Sequence, residues 1–508
     1  MFEFKEGCTF SSLNDIKNKK ITVMGLGLNG GGEASVRFFL KHGAFVTVTD
    51  MKTKEQLLPT IERLENDKTI DTSRLSYVLG EHQISDFRDA DCVIKNPGVK
   101  IEGNQFLAEA KNIETDISIF LHFTKSPIIA VTGSKGKSST VSAIHYGLNK
   151  AGFKCFLGGN ITVSPLTFLE ETTEKTPVVL ELSSWQLADL RGRKALKPFI
   201  SIITKIVPDH QNWYHSMENY VADKRLIYKD QGPGDYTILD FDGDQKEYAP
   251  KDFSSWGKLF ASETKAKVLW YSKQDLSQKI LQKDFNFSGV FQQKKENLTV
   301  GKVFLPELKE PLEIMNELSV PGEHMKTNVL NAALVLYLMK VPSQKIIQIL
   351  KDFPGIPHRL QYFHTYKNTK FYNDSCATVP EAAVCATESF STPVILITGG
   401  TDKGLSFSPL IDHLTDSEKN AKTIKQLFFL DGTGTQKIIP ELKNKSVSFN
   451  GPFSNLEDCI SSVKKYVDSL GNSQNIVVFS PGATSFGMFT NEFDRGNKFM
   501  ESVKRIFI

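Results

Sequence analysis

A chain of 508 residues is too long for one ordinary hydrophobic core, so about two to four domains are expected. Its 40% hydrophobic and 23% charged residues are those of a soluble globular protein, and a net charge of +3 argues against a general nucleic-acid binder. Six scattered cysteines without a CxxC pair, no apolar run near the roughly 20 residues of a membrane span, and an N-terminus (MFEFKEGCTF) unlike a secretory signal predict a cytoplasmic protein with reduced thiols and no membrane partner.

In chain order, the first predicted strand, 21–24, runs into the turn GLGLNG at 25–30. A helical pattern (VRFFLKHG) and a second strand at 45–49 follow, and Asp50 ends that strand. This fits GxGxxG with an acidic residue about 20 positions on. The glycines let backbone approach a diphosphate, and the helix start supplies N–H donors and a positive dipole. Taken alone the motif admits NAD, another diphosphate, or a plain glycine turn of an α/β domain.

The second theme begins at Pro127 and reaches AVTGSKGKSSTV, 130–141. Only Ser134 and Lys135 separate Gly133 from Gly136, whereas the commonest phosphate loop places four residues there. Backbone amides from Gly133 to Lys137 would wrap phosphate oxygens, Lys137 would reach the β/γ-phosphates, and the Ser138 hydroxyl would meet Mg²⁺. A nucleoside triphosphate site is expected. Strands are predicted at 178–182 and 200–204. Glu181 sits inside the first of these, where a carboxylate needs a cation, a metal or a salt bridge. After the second come Asp209 and His210, and fourteen residues beyond His210 lies Lys224 on a predicted helix. The stretch from about 250 to 315 reads as strands and loops decorating this middle domain. Breaks near residue 118 and at FPGIPHR, 353–359, mark boundaries. A third strand–turn–helix series starts at FYND (371) and passes through VILITGG (394), LFFLDGTG (427) and NIVVFSPGA (475). Such alternation predicts α/β domains with mostly parallel sheets and ligands at strand C-terminal ends.

TGSKGKSS, GGN at 158–160, ELSSWQL, PDH with a lysine on the next helix, GEHMKTNVLNAA, GIPHR, NDSCAT, GGTDKG and SPGATS follow one another over nearly the whole chain. In that order they resemble the Mur ligase family, the ATP-dependent amide ligases that build the peptide stem of peptidoglycan. The short GxxGK[ST] loop belongs to that family and its folylpolyglutamate synthetase relatives. The GLGLNG-bearing first domain most resembles the branch that joins D-glutamate to UDP-N-acetylmuramoyl-L-alanine, in which the turn cradles uridine diphosphate rather than NAD.

The resemblance implies three domains: Rossmann-like 1–118 for the UDP-sugar, a central P-loop ATPase-type domain with a mostly parallel sheet at 119–354 for ATP, and Rossmann-like 355–508 for glutamate. It implies ATP, two Mg²⁺ ions (Mn²⁺ as an alternative) and an acyl-phosphate intermediate, with Lys224 carbamoylated by CO₂. Lys137, Glu181, His210 and Lys224 would be catalytic, and Ser138, Glu181, His210 and Lys224 would serve the metals. ATP would be held by Gly133, Ser134, Lys135, Gly136, Lys137, Ser138, Ser139, Asn328, Arg359 and Asp374. The UDP-sugar would be held by Gly27, Leu28, Asn29, Asp50, Asn96, Pro97, Gly98, Asn160 and Ser183, and glutamate by Thr378, Lys403 and Ser485. Three departures stand out: Met325 where the family has an adenine-contacting asparagine, Cys376 where it has lysine, and NEFDRG (491–496) where it has NFExRG. The last two leave L-glutamate as an alternative substrate, and a non-catalytic nucleotide-binding scaffold is the rival of another class. The expected partners are small molecules acting on a monomer, without nucleic acid.

Overall fold

The computed structural model describes residues 2–28, 30–161, 163–244, 248–282, 284–295 and 298–508. Among them the strands form three sheets, distributed over two compact units: Met1–Asn316 with Thr327–Ile349, and Glu317–Lys326 with Leu350–Ile508.

The first sheet comprises β1 (Lys20–Met24), β2 (Phe45–Asp50), β3 (Leu75–Leu79), β4 (Cys92–Lys95) and β5 (Ile113–Glu114). All pair in parallel in the order β3-β2-β1-β4-β5. β1 is buried from Ile21 to Met24, and the helix Gly31–Lys41 covers it with Val36, Phe39 and Leu40. Strand order reverses between β1 and β4, so the loops leaving these two strands diverge and open a crevice at their C-terminal ends. The GLGLNG turn and the Asn96-Pro97-Gly98 turn are those two loops.

The second sheet comprises β6 (Ile128–Thr132), β7 (Phe156–Gly159), β8 (Val178–Glu181), β9 (Ile200–Ile203), β10 (Tyr236–Asp240), β11 (Lys267–Ser272), β12 (Gly289–Lys295), β13 (Leu298–Phe304) and β14 (Leu312–Met315). Its order is β14-β13-β12-β11-β10-β9-β6-β8-β7. Pairing is parallel except for β12–β13 and β13–β14. β6 lies inside the sheet between β9 and β8 and is buried throughout, hence its largely apolar run. The segment 250–315 does not merely decorate this domain: β11 to β14 extend its main sheet, and Trp256–Glu263 is a helix. An antiparallel edge with one wetter face mixes Lys and Gln with apolar residues, so it carries no glycine-turn signature.

In the second unit the sheet comprises β15 (Gln361–Tyr366), β16 (Thr369–Asn373), β17 (Val394–Thr398), β18 (Ile424–Leu430), β19 (Asn450–Phe453) and β20 (Asn475–Phe479). Its order is β15-β16-β20-β17-β18-β19, parallel but for the β15–β16 hairpin. Alternate residues face opposite layers. Ile395, Phe428 and Val477 pack with Val463 and Phe499 of two helices, whereas Leu396, Phe429 and Val478 pack with Ala383, Leu410 and Ile438 of three others. All six cysteines are free thiols. No helix among the described residues is long and apolar enough to cross a membrane.

Candidate active site

β6 delivers the chain into the phosphate loop between the ends of β8 and β9. Gly133 has φ +141°, and a Cβ there would stand 2.0 Å from Thr204 Oγ1. Gly136 has φ +94°, and a Cβ there would stand 2.6 Å from Asn328 Oδ1. The short loop thus threads between Thr204 and Asn328 and tolerates only glycine at both positions. Its shape is held from outside. Ser134 N and Lys135 N donate to Lys205 O at 2.9 and 3.3 Å. Ser134 Oγ donates to Val207 O (2.8 Å) and accepts from Val207 N and Tyr220 Oη (both 3.0 Å). Ser138 and Ser139 lie half-buried on the first turn of the helix Lys137–Ala151.

Two lysines share one carbonyl of this loop. Lys137 Nζ donates to Gly133 O (2.9 Å) and Ser134 O (3.1 Å), and Lys224 Nζ donates to Gly133 O at 2.9 Å. Burial lowers the Lys137 pKa against the attraction of Glu181 and Asp209. Lys224, 1% exposed, is pushed far below the ordinary lysine range by burial and then by the Lys137 cation. The Tyr220 ring, one turn earlier on the helix Met217–Lys224, lies 4.5 Å from Lys224 Nζ. Tyr220 escaped the sequence reading. Its spacing of four from Lys224 was the available signal.

Glu181 ends β8 at 2% exposure. Oε1 accepts from Asn160 Nδ2 at 2.9 Å, and Asn160 N donates to Glu181 O at 2.8 Å. Oε2 is buried without a hydrogen-bond partner, a costly state for a carboxylate oxygen unless a cation meets it. His210 adopts φ +51° before the helix Gln211–Tyr214. Its ring tilts against Trp185 at 5.0 Å, and Nε2 lies 3.9 Å from Asp209 Oδ2. Among the described residues no three of His, Cys, Asp and Glu converge. Ser183 caps the helix Ser184–Ala188, accepting from Gln186 N (3.2 Å) while Gln186 Oε1 accepts from Ser183 N (3.0 Å).

In the first sheet's crevice Asp50 uses both oxygens on backbone: Gly27 N at 3.1 Å and Lys52 N at 2.9 Å. Gly25, at φ +93°, abuts Asn96, to whose Cβ an added Cβ would be 3.3 Å. Asn96 Oδ1 accepts from Gly98 N at 3.1 Å. Gly25, Asn96, Pro97 and Asp116 line a small cavity, Leu28 is exposed, and Asn29 lies outside the described residues.

Within the second unit, Asp374 accepts from Leu360 N (3.0 Å) and Ser480 Oγ (2.7 Å), and burial raises its carboxyl to about 6. Arg359 beside it is exposed. Buried His358 is hydrogen-bonded to Asn373 at 2.9 Å and meets the Phe493 ring edge-on at 5.6 Å. Lys403 Nζ donates to Thr378 Oγ1 at 3.3 Å, bringing two of the three expected glutamate residues together. Ser485 instead lines a cavity of about 180 Å³ with Thr401, Asp431 and Arg495. Arg495, 1% exposed, ties the NDSCAT loop to SPGATS through Ser375 O (2.7 Å), Ser375 Oγ (3.0 Å) and Ala483 O (3.0 Å). Burial of its guanidinium lowers its pKa to about 10. Burial raises the half-buried Cys376 thiol while Arg359 opposes the shift.

Family models match two stretches: the Mur ligase middle domain over residues 131–336 and the Mur ligase MurD-like N-terminal domain over residues 19–118. The UDP-N-acetylmuramoylalanine–D-glutamate ligase of Treponema pallidum (strain Nichols) is 37% identical over 551 residues, covering 97% of this chain and 98% of that protein. The enzyme of that name from Borreliella afzelii (strain PKo) is 38% identical over 494 residues, covering 97% and 99%. In fold, the chain is similar to UDP-N-acetylmuramate-alanine ligase from Thermotoga maritima, with a TM-score of 0.52 at 16% identity, covering 96% of this chain and 100% of that one. MurF from Acinetobacter baumannii gives 0.52 at 14% identity, covering 84% and 93%. With glycine-turn, phosphate-loop and third-domain motifs all in place, the chain belongs to the Mur ligase family.

Proposed function

We propose that this protein is an ATP-dependent ligase of peptidoglycan biosynthesis that adds D-glutamate to UDP-N-acetylmuramoyl-L-alanine and releases ADP and phosphate. Relatives bearing that activity in their names align end to end with the chain. The observation that carries the chemistry is the pair of lysines on the Gly133 carbonyl, Lys137 half-buried and Lys224 buried, both within electrostatic reach of the Glu181 carboxylate. A carboxylate resists attack by an amine. Transfer of the γ-phosphoryl group to a carboxylate oxygen of the sugar nucleotide makes an acyl-phosphate. The glutamate amine then attacks the acyl carbon, and phosphate leaves with the original carboxylate oxygen.

Lys137 would unfold from the loop carbonyls onto the β/γ-phosphates and hold their charge as it develops. Glu181 Oε2, an orphaned buried acceptor, fits a divalent cation, with Ser138 as its neighbour on the loop helix. His210 and carbamoylated Lys224 would hold a second. Mg²⁺, or Mn²⁺, would supply charge neutralisation at the phosphates when bound. Lys224 qualifies for reaction with CO₂ because its buried amine is readily neutral. In domain terms, 1–118 would take the UDP-sugar on the Gly27–Leu28–Asn29 turn and the Asn96–Pro97–Gly98 turn, with Asp50 holding the glycine turn in shape. Residues 119–354 would take ATP, with Asn328 at the adenine and Asn160 and Ser183 toward the muramoyl group. Residues 355–508 would take ribose on Asp374, phosphate on Arg359, and glutamate on Thr378, Lys403 and Ser485. The enzyme would work as a cytoplasmic monomer.

The test is phosphate release from ATP with Mg²⁺ and UDP-N-acetylmuramoyl-L-alanine, run with D-glutamate, L-glutamate or neither. Release should require the sugar nucleotide and D-glutamate, and should fall by roughly 10²-fold or more in Lys137→Ala. Preference for L-glutamate would reassign the amino-acid pocket, and no release under any combination would overturn the ligase reading.

A further inference from the structure

Two ion pairs are buried between the first sheet's segments and the central ones, away from the phosphate loop. Lys95 Nζ, at the end of β4, lies 2.8 Å from Oδ2 of Asp189, which ends the helix Ser184–Ala188; their side chains are 1% and 6% exposed. Arg193 Nη1 lies 2.8 Å from Oε2 of Glu114 in β5, at 3% and 2% exposure. Pairs this deep contribute little net stability, because desolvating both charges offsets their attraction. What else each holds is therefore informative. Arg193 Nε donates to Asp189 O (2.8 Å) and Nη2 to Ile113 O (2.6 Å), and Glu114 accepts from Thr9 N (2.8 Å) and Ser118 Oγ (2.6 Å). All of these are framework contacts.

Lys95 differs. Its Nζ donates to Asn96 O at 3.0 Å and Val99 O at 2.9 Å, the carbonyls that bracket the Asn96-Pro97-Gly98 turn. Asp189, for its part, caps the C-terminal end of a helix whose first residue, Ser184, lies three residues after Glu181. One ammonium therefore joins the turn beside the glycine crevice to the far end of the helix that follows Glu181, whose carboxylate keeps one buried oxygen unpartnered.

We infer that Lys95 is a positioning residue for the sugar nucleotide, fixing the register of the 96–98 turn on the phosphate-loop body through Asp189. This rests on the assignment of that turn to uridine diphosphate made above. A turn released from this clamp loses its preset contacts with the sugar nucleotide, which weakens binding of that substrate and leaves the ATP site untouched.

The experiment uses full-length enzyme and three variants: Lys95→Met, Lys95→Met/Asp189→Leu and, as a framework comparison, Glu114→Gln. Lys95→Met should raise KM for UDP-N-acetylmuramoyl-L-alanine by roughly 10-fold or more while KM for ATP stays within about 2-fold. The double variant removes the unpaired buried carboxylate and should keep that KM defect even where its thermal unfolding matches wild type. Glu114→Gln should lower the unfolding temperature without the KM defect. An unchanged sugar-nucleotide KM in a folded Lys95 variant, recovery of KM in the double variant, or an equal KM rise in Glu114→Gln would reduce Lys95 to a structural residue. Wild-type turnover that ignores the sugar nucleotide would instead overturn the functional assignment itself.

Discussion

Burial lifts the Asp374 carboxyl to about 6, whereas an unfolded aspartate titrates near 3.9. Between those values the folded state binds more protons than the unfolded one, so stability falls as pH rises toward 6, and the penalty persists above it. Asp374→Asn should therefore gain stability at pH 7.5, by at most about 3 kcal/mol, and gain little near pH 4. Urea unfolding at the two pH values checks this, and an equal gain at both would contradict it. If Asp374 holds the ribose, the same variant raises KM for ATP. Lys224 offers a second residue-level prediction. Arginine keeps the cation but is not carbamoylated, so Lys224→Arg should lose roughly 10²-fold or more in kcat. Removing bicarbonate and CO₂ should slow the wild type and leave the variant unchanged. Wild-type activity indifferent to bicarbonate would remove the carbamate from the account.

Among the elements, the phosphate loop makes the sharpest demand. Gly133→Ala places a methyl group 2.0 Å from Thr204 Oγ1 at a φ of +141°, so both sterics and backbone strain oppose it. A loss of roughly 1–3 kcal/mol in stability and a large loss of ATP binding are expected. Adding Thr204→Ala should relieve the 2.0 Å clash with Oγ1 but leave the backbone strain and the tight Thr204 backbone contacts at 3.0–3.1 Å, which thermal unfolding and nucleotide titration resolve. This loop was legible in the sequence because a β-branched strand, a glycine pair and Lys-Ser are local signals. So were β1 with its glycine turn and the acidic end of β2. Asp50 illustrates what local patterning misses: the motif marks it as a ligand residue, yet its two oxygens accept from Gly27 N and Lys52 N. Ser183, likewise, is read as a substrate contact and also caps its own helix. Lys95, Asp189 and Arg495 take their roles from partners far along the chain, which no spacing announces. Strands were expected between about 250 and 315, but β12 to β14 could not be placed or joined to the main sheet, since their mixed polar and apolar residues report a half-exposed surface rather than a turn.

At the scale of the whole molecule, the three strand–turn–helix series were legible as three α/β domains, because each buried parallel sheet needs its own apolar runs and its own crossovers. If, as proposed, the three substrates sit on separate domains, their reacting atoms must come within about 3–3.5 Å, and hinge closure near residue 355 is expected when nucleotide binds. Solution scattering should then report a smaller radius of gyration with ATP analogue than without, and superposable profiles would count against closure. Oxygen labelling reads directly which bond is made first. With ¹⁸O in the carboxylate of UDP-N-acetylmuramoyl-L-alanine, ATP and D-glutamate, the measurement is the mass of the phosphate released. Each phosphate should carry one ¹⁸O atom, taken from the carboxylate when the acyl-phosphate collapses. Phosphate without label, released alongside the glutamyl product, would contradict it.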